Sequence, residues 1–207
     1  MTDSQSAQPP ANKRRGQIQA LLLMLIVALP MIAAYTMYHT GWGIPDGTVN
    51  KGMLVTPPIE VGALVPKEQG ELWQIKSEPK RWRYVVVGEG SCDQTCLDNL
   101  YLTRQVHIRL NEKADRVERI YLLLDDELSP ELAAHIAEQH PLLRVMTVNR
   151  SDLLQALQAS NISEDPVVSG RYFLMDQEGF LMLSYTPEHT GGELLKDVKK
   201  MLKTSYE

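Results

Sequence analysis

The stretch Val85-Val86-Val87-Gly88-Glu89-Gly90-Ser91-Cys92-Asp93-Gln94-Thr95-Cys96 contains both of the chain's cysteines. Trp82 to Val87 is a short apolar run suited to a buried strand, and Gly88 and Gly90 mark the turn that ends it. A helix is expected from Cys92 or Thr95 to about Leu110. Its apolar residues fall on two stripes, Leu97, Leu100, Tyr101 and Ile108 on one and Leu102, Val106 and Leu110 on the other, which predicts cover on more than one side. Both thiols therefore stand where a strand hands over to a helix. Unpaired amides and the positive end of the helix dipole at such a position favour thiolate, and with it nucleophilic or metal-binding chemistry.

Downstream, Arg119 to Leu124 reads as a second buried strand ending in Asp125-Asp126-Glu127, and Ser129-Pro130-Glu131 opens a helix with a cap and a first-turn proline. Leu142 to Val148 makes a third strand, and Ser151 to Ala159 a helix capped by Asn149 or Ser151. Arg171 to Met175 and Phe180 to Tyr185 flank Asp176-Gln177-Glu178-Gly179 as a hairpin, and Gly191-Gly192 leads into a last helix to about Thr204. This alternation predicts an α/β sheet of parallel strands joined by right-handed crossovers, closed by a hairpin and helix in thioredoxin-like order. Chemistry on such a sheet collects at the C-terminal strand ends, which carry Cys92, Cys96, Asp125 and Asp126.

Upstream, Ile18 to Tyr38 carries no charge and is long enough to cross a hydrocarbon core of roughly 30 Å as a helix. Lys13, Arg14 and Arg15 precede it, a bias that keeps the N-terminus cytoplasmic and sends the rest of the chain across the membrane. A cleaved signal peptide is the competing account, but the apolar stretch is long for one and no small-x-small cleavage site follows before Tyr35. The expected organisation is a disordered cytoplasmic tail at 1–17, a transmembrane anchor at 18–39, an extended Gly- and Pro-rich tether at 40–58 and a thioredoxin-like domain at 59–207. The expected location is a bacterial inner membrane, single-pass, with a periplasmic C-terminal domain. Setting aside Asp3, Lys13, Arg14 and Arg15 from 26 acidic and 21 basic residues leaves 25 against 18, a net of −7. Such a domain repels phosphate backbones, which argues against nucleic acid as a partner.

If the segment from Cys92 to Cys96 is helical, the two Cβ atoms lie roughly 5 to 6 Å apart, wider than the 3.5 to 4.5 Å of a relaxed disulfide. An oxidised pair is then expected to distort the turn and to reduce easily, whereas Cu(I) tolerates the wider bite. Structural zinc is set aside, because no second cysteine pair completes four ligands. A permanent structural bond is the plainer account, yet closing so short a loop gains little chain entropy.

The segment Val87 to Cys96 resembles the copper-site segment of the Sco family of cytochrome c oxidase assembly proteins, membrane-anchored copper chaperones with a thioredoxin fold. The resemblance spans roughly residues 82 to 204 and is distant. It puts the family's two cysteine ligands on Cys92 and Cys96, its acidic segment on Asp125-Asp126-Glu127-Leu128-Ser129-Pro130, and its Asp-x-x-Gly hairpin on Asp176-Gln177-Glu178-Gly179. Two departures stand out. Within Asp165-Pro166-Val167-Val168-Ser169-Gly170-Arg171, Val168 occupies the place of the family's histidine ligand, and Asp93 replaces the proline after the first cysteine.

Among the histidines, His107 lies about 16 Å along the helix from Cys96, and is expected to be a satisfied core or rim residue. His135 and His140 are expected to face solvent on a helix running away from the site. His189, in the loop after the last strand, is the one candidate third metal ligand, against the plainer account of a surface histidine. Asp93 and Asp126 are placed to raise the thiol pKa by like charge or simply to cap helices.

The resemblance implies a membrane-tethered protein that assists assembly of a respiratory oxidase, or serves another copper-site client, through Cys92 and Cys96. Two mechanisms fit: weak Cu(I) handling by the thiolate pair, or thiol-disulfide exchange in which Cys92 attacks a client disulfide and Cys96 resolves the intermediate. As an enzyme it would be a thiol-disulfide oxidoreductase. The alternative from another class is a non-catalytic assembly or scaffold protein with a degenerate copper site.

Overall fold

A computed structural model of the chain describes residues 13–41, 49–124 and 127–205, and the chain divides into two units after Thr48. The first unit is one helix, α1 (Lys13–Thr40). Arg15–Thr40 is apolar enough to cross a membrane, and its 26 residues rise about 39 Å. Lys13, Arg14 and Arg15 form the first turn rather than preceding the helix. Pro30 sits inside it, and the hydroxyls of Thr36 and Thr40 donate to the carbonyls of Ile32 and Thr36 at 3.0 and 2.6 Å, leaving little polarity unsatisfied in an apolar medium.

The second unit runs β1 (Met53–Glu60), β2 (Lys67–Glu68), β3 (Glu71–Leu72), β4 (Trp82–Gly88), α2 (Gln94–Ile108), β5 (Val117–Leu123), α3 (Pro130–Gln139), β6 (Leu143–Thr147), α4 (Arg150–Gln158), α5 (Pro166–Ser169), β7 (Tyr172–Met175), β8 (Phe180–Tyr185) and α6 (Gly191–Thr204). One sheet takes them in the order β1-β8-β7-β4-β5-β6-β2-β3. β4, β5 and β6 are parallel, as the crossover helices require. β7 and β8 form the hairpin and pair antiparallel onto β4. Alternate residues of the central strands face opposite sides. Tyr84, Val86, Tyr121 and Leu123 pack with α2, α3 and α6, while Val85, Val87, Ile120 and Leu122 pack with α4, β1 and Trp73. Trp73 and Trp82 are packing residues, 6% and 9% exposed.

Three expectations are corrected. Of the tether expected at 40–58, residues 42–48 lie outside the described residues and the part from Met53 belongs to the domain, because β1 takes Met53 to Glu60 into the sheet. Its prolines are tolerated because β1 is an edge strand whose pairing with β8 breaks register between Leu54 and Ile59. Along that outer edge Asn161 substitutes for a neighbouring strand: its side chain accepts from Thr56 N and donates to Leu54 O, both at 2.9 Å. Second, α2 is covered on one side only. Leu100 and Val106 are buried, whereas Tyr101 and Ile108 are 59% and 53% exposed. Third, His140 is not solvent-facing but buried at the end of α3, where its Nδ1 lies 3.1 Å from Arg119. His107, as expected, is satisfied, its Nε2 2.9 Å from the carbonyls of Ala114 and Val117.

Candidate functional site

The apolar run of β4 ends at Gly88, and the absence of a side chain there has a physical cause. A β-carbon on Gly88 would overlap the phenol of Tyr121, which is fully buried and donates its hydroxyl to Glu89 O at 2.7 Å. Further bonds fix the same loop from its neighbours. Leu124 N donates to Gly88 O at 2.9 Å, and Ser129 N, at the start of α3, donates to Gly90 O at 2.7 Å. Arg150, the first residue of α4, pairs with Glu89 and with Asp165. The Glu89 and Asp165 hydrogen bonds hold its pKa above the ordinary arginine value. The turn carrying Cys92 is thus tied to β5, α3 and α4 at once.

Cys92 and Cys96 are joined in a disulfide with 5.3 Å between their Cα atoms, inside the usual range of about 4.4 to 6.8 Å. The expected distortion of the helix does not occur, because Cys92 is not helical. Asp93 is the N-cap, extended at ψ 179°, and its carboxylate accepts from Cys96 N at 2.8 Å. The cap turns the chain so that Cys92 folds back over the first turn of α2 while Cys96 lies within it. Asp93 therefore acts as a cap. Asp125 and Asp126 lie outside the described residues.

Both cysteines are half-buried, and they open on different sides. Cys96 lines a cavity of about 170 Å³ with Gly88, Asp93, Asn99, Val167 and Gly170. Its sulfur is 3.7 Å from the hydroxyl of Tyr121. Asn99 donates to Gly170 O at 2.9 Å and closes the floor between α2 and α5. Cys92 lines a separate cavity of about 280 Å³ with Leu97, Ser129, Glu131, Leu132 and His135.

His135, expected to face solvent away from the site, instead shares a cavity with Cys92. The signal that could have found it is topological: α3 follows the strand beside β4, so its first turns begin at the same sheet edge as the cysteines. Behind it lies His140, with ring centroids 5.3 Å apart. Burial, then the neighbouring Arg119 guanidinium, pushes the His140 pKa down to about 4.

His189 is placed elsewhere in its hydrogen bonding. Its Nδ1 accepts from Thr186 N at 3.0 Å, leaving Nε2 to donate to Lys51 O at 3.1 Å, and its ring meets Tyr185 edge-on. It fastens the start of the domain to the loop after β8. Among the described residues no three His, Cys, Asp or Glu side chains converge on a metal position. Val168, where the resemblance would put an imidazole, is 84% exposed on α5. The described side chains do not fit a three-ligand copper centre.

Comparison with solved structures finds the same fold. Copper-bound yeast Sco1 superimposes with a TM-score of 0.53 at 14% identity, covering 77% of this chain and 97% of that one. Copper-bound ScoI of Arabidopsis thaliana gives 0.51 at 16%, covering 72% and 98%. BsSco, described as a member of the Sco family with a disulfide switch, gives 0.51 at 14%, covering 76% and 99%. No curated protein matches the sequence. A transmembrane-like N-terminal domain matches residues 10–41, consistent with α1 as a membrane anchor. The description "transmembrane-like, thioredoxin-like, C-terminal domain" matches residues 82–205, more than half of the chain. The chain belongs to this family of transmembrane-like proteins with a thioredoxin-like C-terminal domain.

Proposed function

We propose that the protein is a membrane-anchored thiol-disulfide exchange factor, its domain on the periplasmic side of a bacterial inner membrane, serving the copper-site thiols of a respiratory oxidase. The observation that carries this reading is the Cys92–Cys96 disulfide at a helix start, half-buried, with each cysteine lining its own cavity. The basic first turn of α1 supports the orientation.

In the reducing direction, His135 takes the proton of the Cys92 thiol, and the thiolate attacks one sulfur of a client disulfide. A mixed disulfide forms, and the first client sulfur leaves as a thiolate that collects a proton. The Cys96 thiolate then attacks the Cys92 sulfur, releasing the second client thiol and closing the Cys92–Cys96 bond. The client gains two electrons and the pair loses two. A dithiol donor must return the pair to its reduced form.

Cu(I) as a cargo is the weaker reading, because neither Val168 nor His189 completes a ligand set with the cysteines. The test is a trapping experiment. Cys96→Ser should accumulate a mixed disulfide between Cys92 and its client, and Cys92→Ser should not. If neither variant traps a client and the double variant supports oxidase assembly like the parent, the scaffold reading holds instead. Anaerobic Cu(I) titration of the reduced protein separates the metal reading: binding tighter than that of a simple dithiol would restore it.

A further inference from the structure

Four lysines of α6, Lys196, Lys199, Lys200 and Lys203, recur at helical spacing on one face, and all four are exposed. Among the described residues none of them enters an ion pair. The opposite face of α6 is buried through Leu194, Val198 and Leu202, so the lysine face is fixed outward. With the exposed Arg109 it rims a groove of about 550 Å³ whose apolar wall includes Val49 and Leu195. A cationic rim over an apolar wall, in a domain whose net charge is negative, is chemistry for an anionic amphiphile.

The groove is also where the chain enters the domain. Asp197, 1% exposed on the same helix, accepts from Lys51 N at 2.8 Å, Gly52 N at 2.9 Å and the Tyr185 hydroxyl at 3.0 Å. Gly52 is required there, since a β-carbon would stand 2.6 Å from the Tyr185 ring. This carboxylate fastens the first residues of the domain against α6. The backbone from Thr40, the last residue of α1, to Val49 can span at most about 32 Å. A chain connection of that length is short enough for the lysine face to reach a bilayer that α1 enters.

We propose that the lysine face of α6 is a membrane-docking surface that engages anionic phospholipid headgroups of the bilayer holding the anchor. Each basic side chain near such a surface favours association about fivefold. Docking would hold one face of the domain against the bilayer and restrict the directions in which the thiol site meets its clients.

The full chain, reconstituted in nanodiscs that expose both bilayer faces, tests this. An amine-acylating reagent is applied in discs of phosphatidylcholine alone or of phosphatidylcholine mixed with phosphatidylglycerol, and peptide masses report each lysine. In the anionic discs Lys196, Lys199, Lys200 and Lys203 should react about fivefold more slowly, while the exposed Lys67 and Lys76 keep their rates. The difference should vanish at about 1 M salt, where the screening length falls to about 3 Å. The exposed pair Lys199→Glu and Lys200→Glu, made together, should abolish protection of Lys196 and Lys203 without changing the near-ultraviolet circular dichroism. Equal rates in the two lipids, or protection surviving in the double variant, would overturn the proposal. Equal protection by inorganic phosphate over phosphatidylcholine discs would also overturn it, assigning the face to a soluble phosphate instead.

Discussion

Gly88 and His135 show how single residues set the thiol turn. Gly88 ends β4 with Tyr121 pressed against its backbone, so Gly88→Ala must move either the phenol or the strand end. Overpacking of this kind costs about 1 to 3 kcal/mol, and a urea titration should show it as a lower midpoint. Truncating the phenol in the same molecule, as Gly88→Ala with Tyr121→Leu, should recover part of that loss; a double variant worse than the sum of the two singles would place the strain elsewhere. His135 makes a chemical claim rather than a packing one. Half-buried beside Cys92, it is the one imidazole lining that cavity. His135→Ala should slow reaction of the reduced protein with a small disulfide reagent by about a hundredfold or more, the usual range for a proton-transfer group. An unchanged rate would remove His135 from the mechanism and leave the helix start alone to activate the thiol.

Elements with local signals were legible in the sequence. The β-branched run of β4, the Ser129-Pro130 opening of α3, the Asp176 to Gly179 turn and the Gly191-Gly192 entry to α6 each match a feature in the structure. β1 was hidden because its pairing is decided at long range. Pro57 and Pro58 argue locally against a strand, and only the β8 edge and Asn161 give it partners. The start of α2, left open in the sequence between Cys92 and Thr95, is decided by a local cap that outcompetes helix continuation. Asp93 moves the boundary past Cys92, and with it the geometry of the cysteine pair. The cap can be measured. Asp93→Ala leaves the amide of Cys96 without its acceptor and should lower stability by about 1 kcal/mol, read as a shift in urea midpoint. A variant as stable as the parent would mean that the disulfide, rather than the carboxylate, holds the first turn.

At the scale of the whole molecule, stability should depend on pH through a cation buried without a carboxylate among its described partners. Arg119 is 3% exposed and donates to Leu100 O at 3.0 Å, and its Nη2 lies 3.1 Å from His140 Nδ1. To accept from the guanidinium, His140 must be neutral. Burial first, then Arg119 and His135, lower its folded pKa to about 4 from an ordinary 6.5. Between those values the unfolded chain binds a proton that the folded chain refuses. Stability should therefore fall as pH drops from about 6.5 to about 4, by up to about 3 kcal/mol, and this contribution should stay lost below that window. Carboxylates act lower on the scale. Glu78, whose pKa is lowered chiefly by the hydrogen bond from Arg144, contributes stability above the ordinary carboxylate value that is lost only as pH falls through its depressed one. The two windows can be separated by His140→Gln, which offers Arg119 an acceptor that does not titrate. The urea midpoint of the parent should decline steadily between about pH 7 and pH 4.5, and that of the variant should stay nearly level over the same interval before both fall together in acid. A parent midpoint that is flat across that interval, or a decline equally steep in the variant, would show that the buried arginine–histidine contact does not govern acid stability and that the cluster at the end of α3 is held by packing alone.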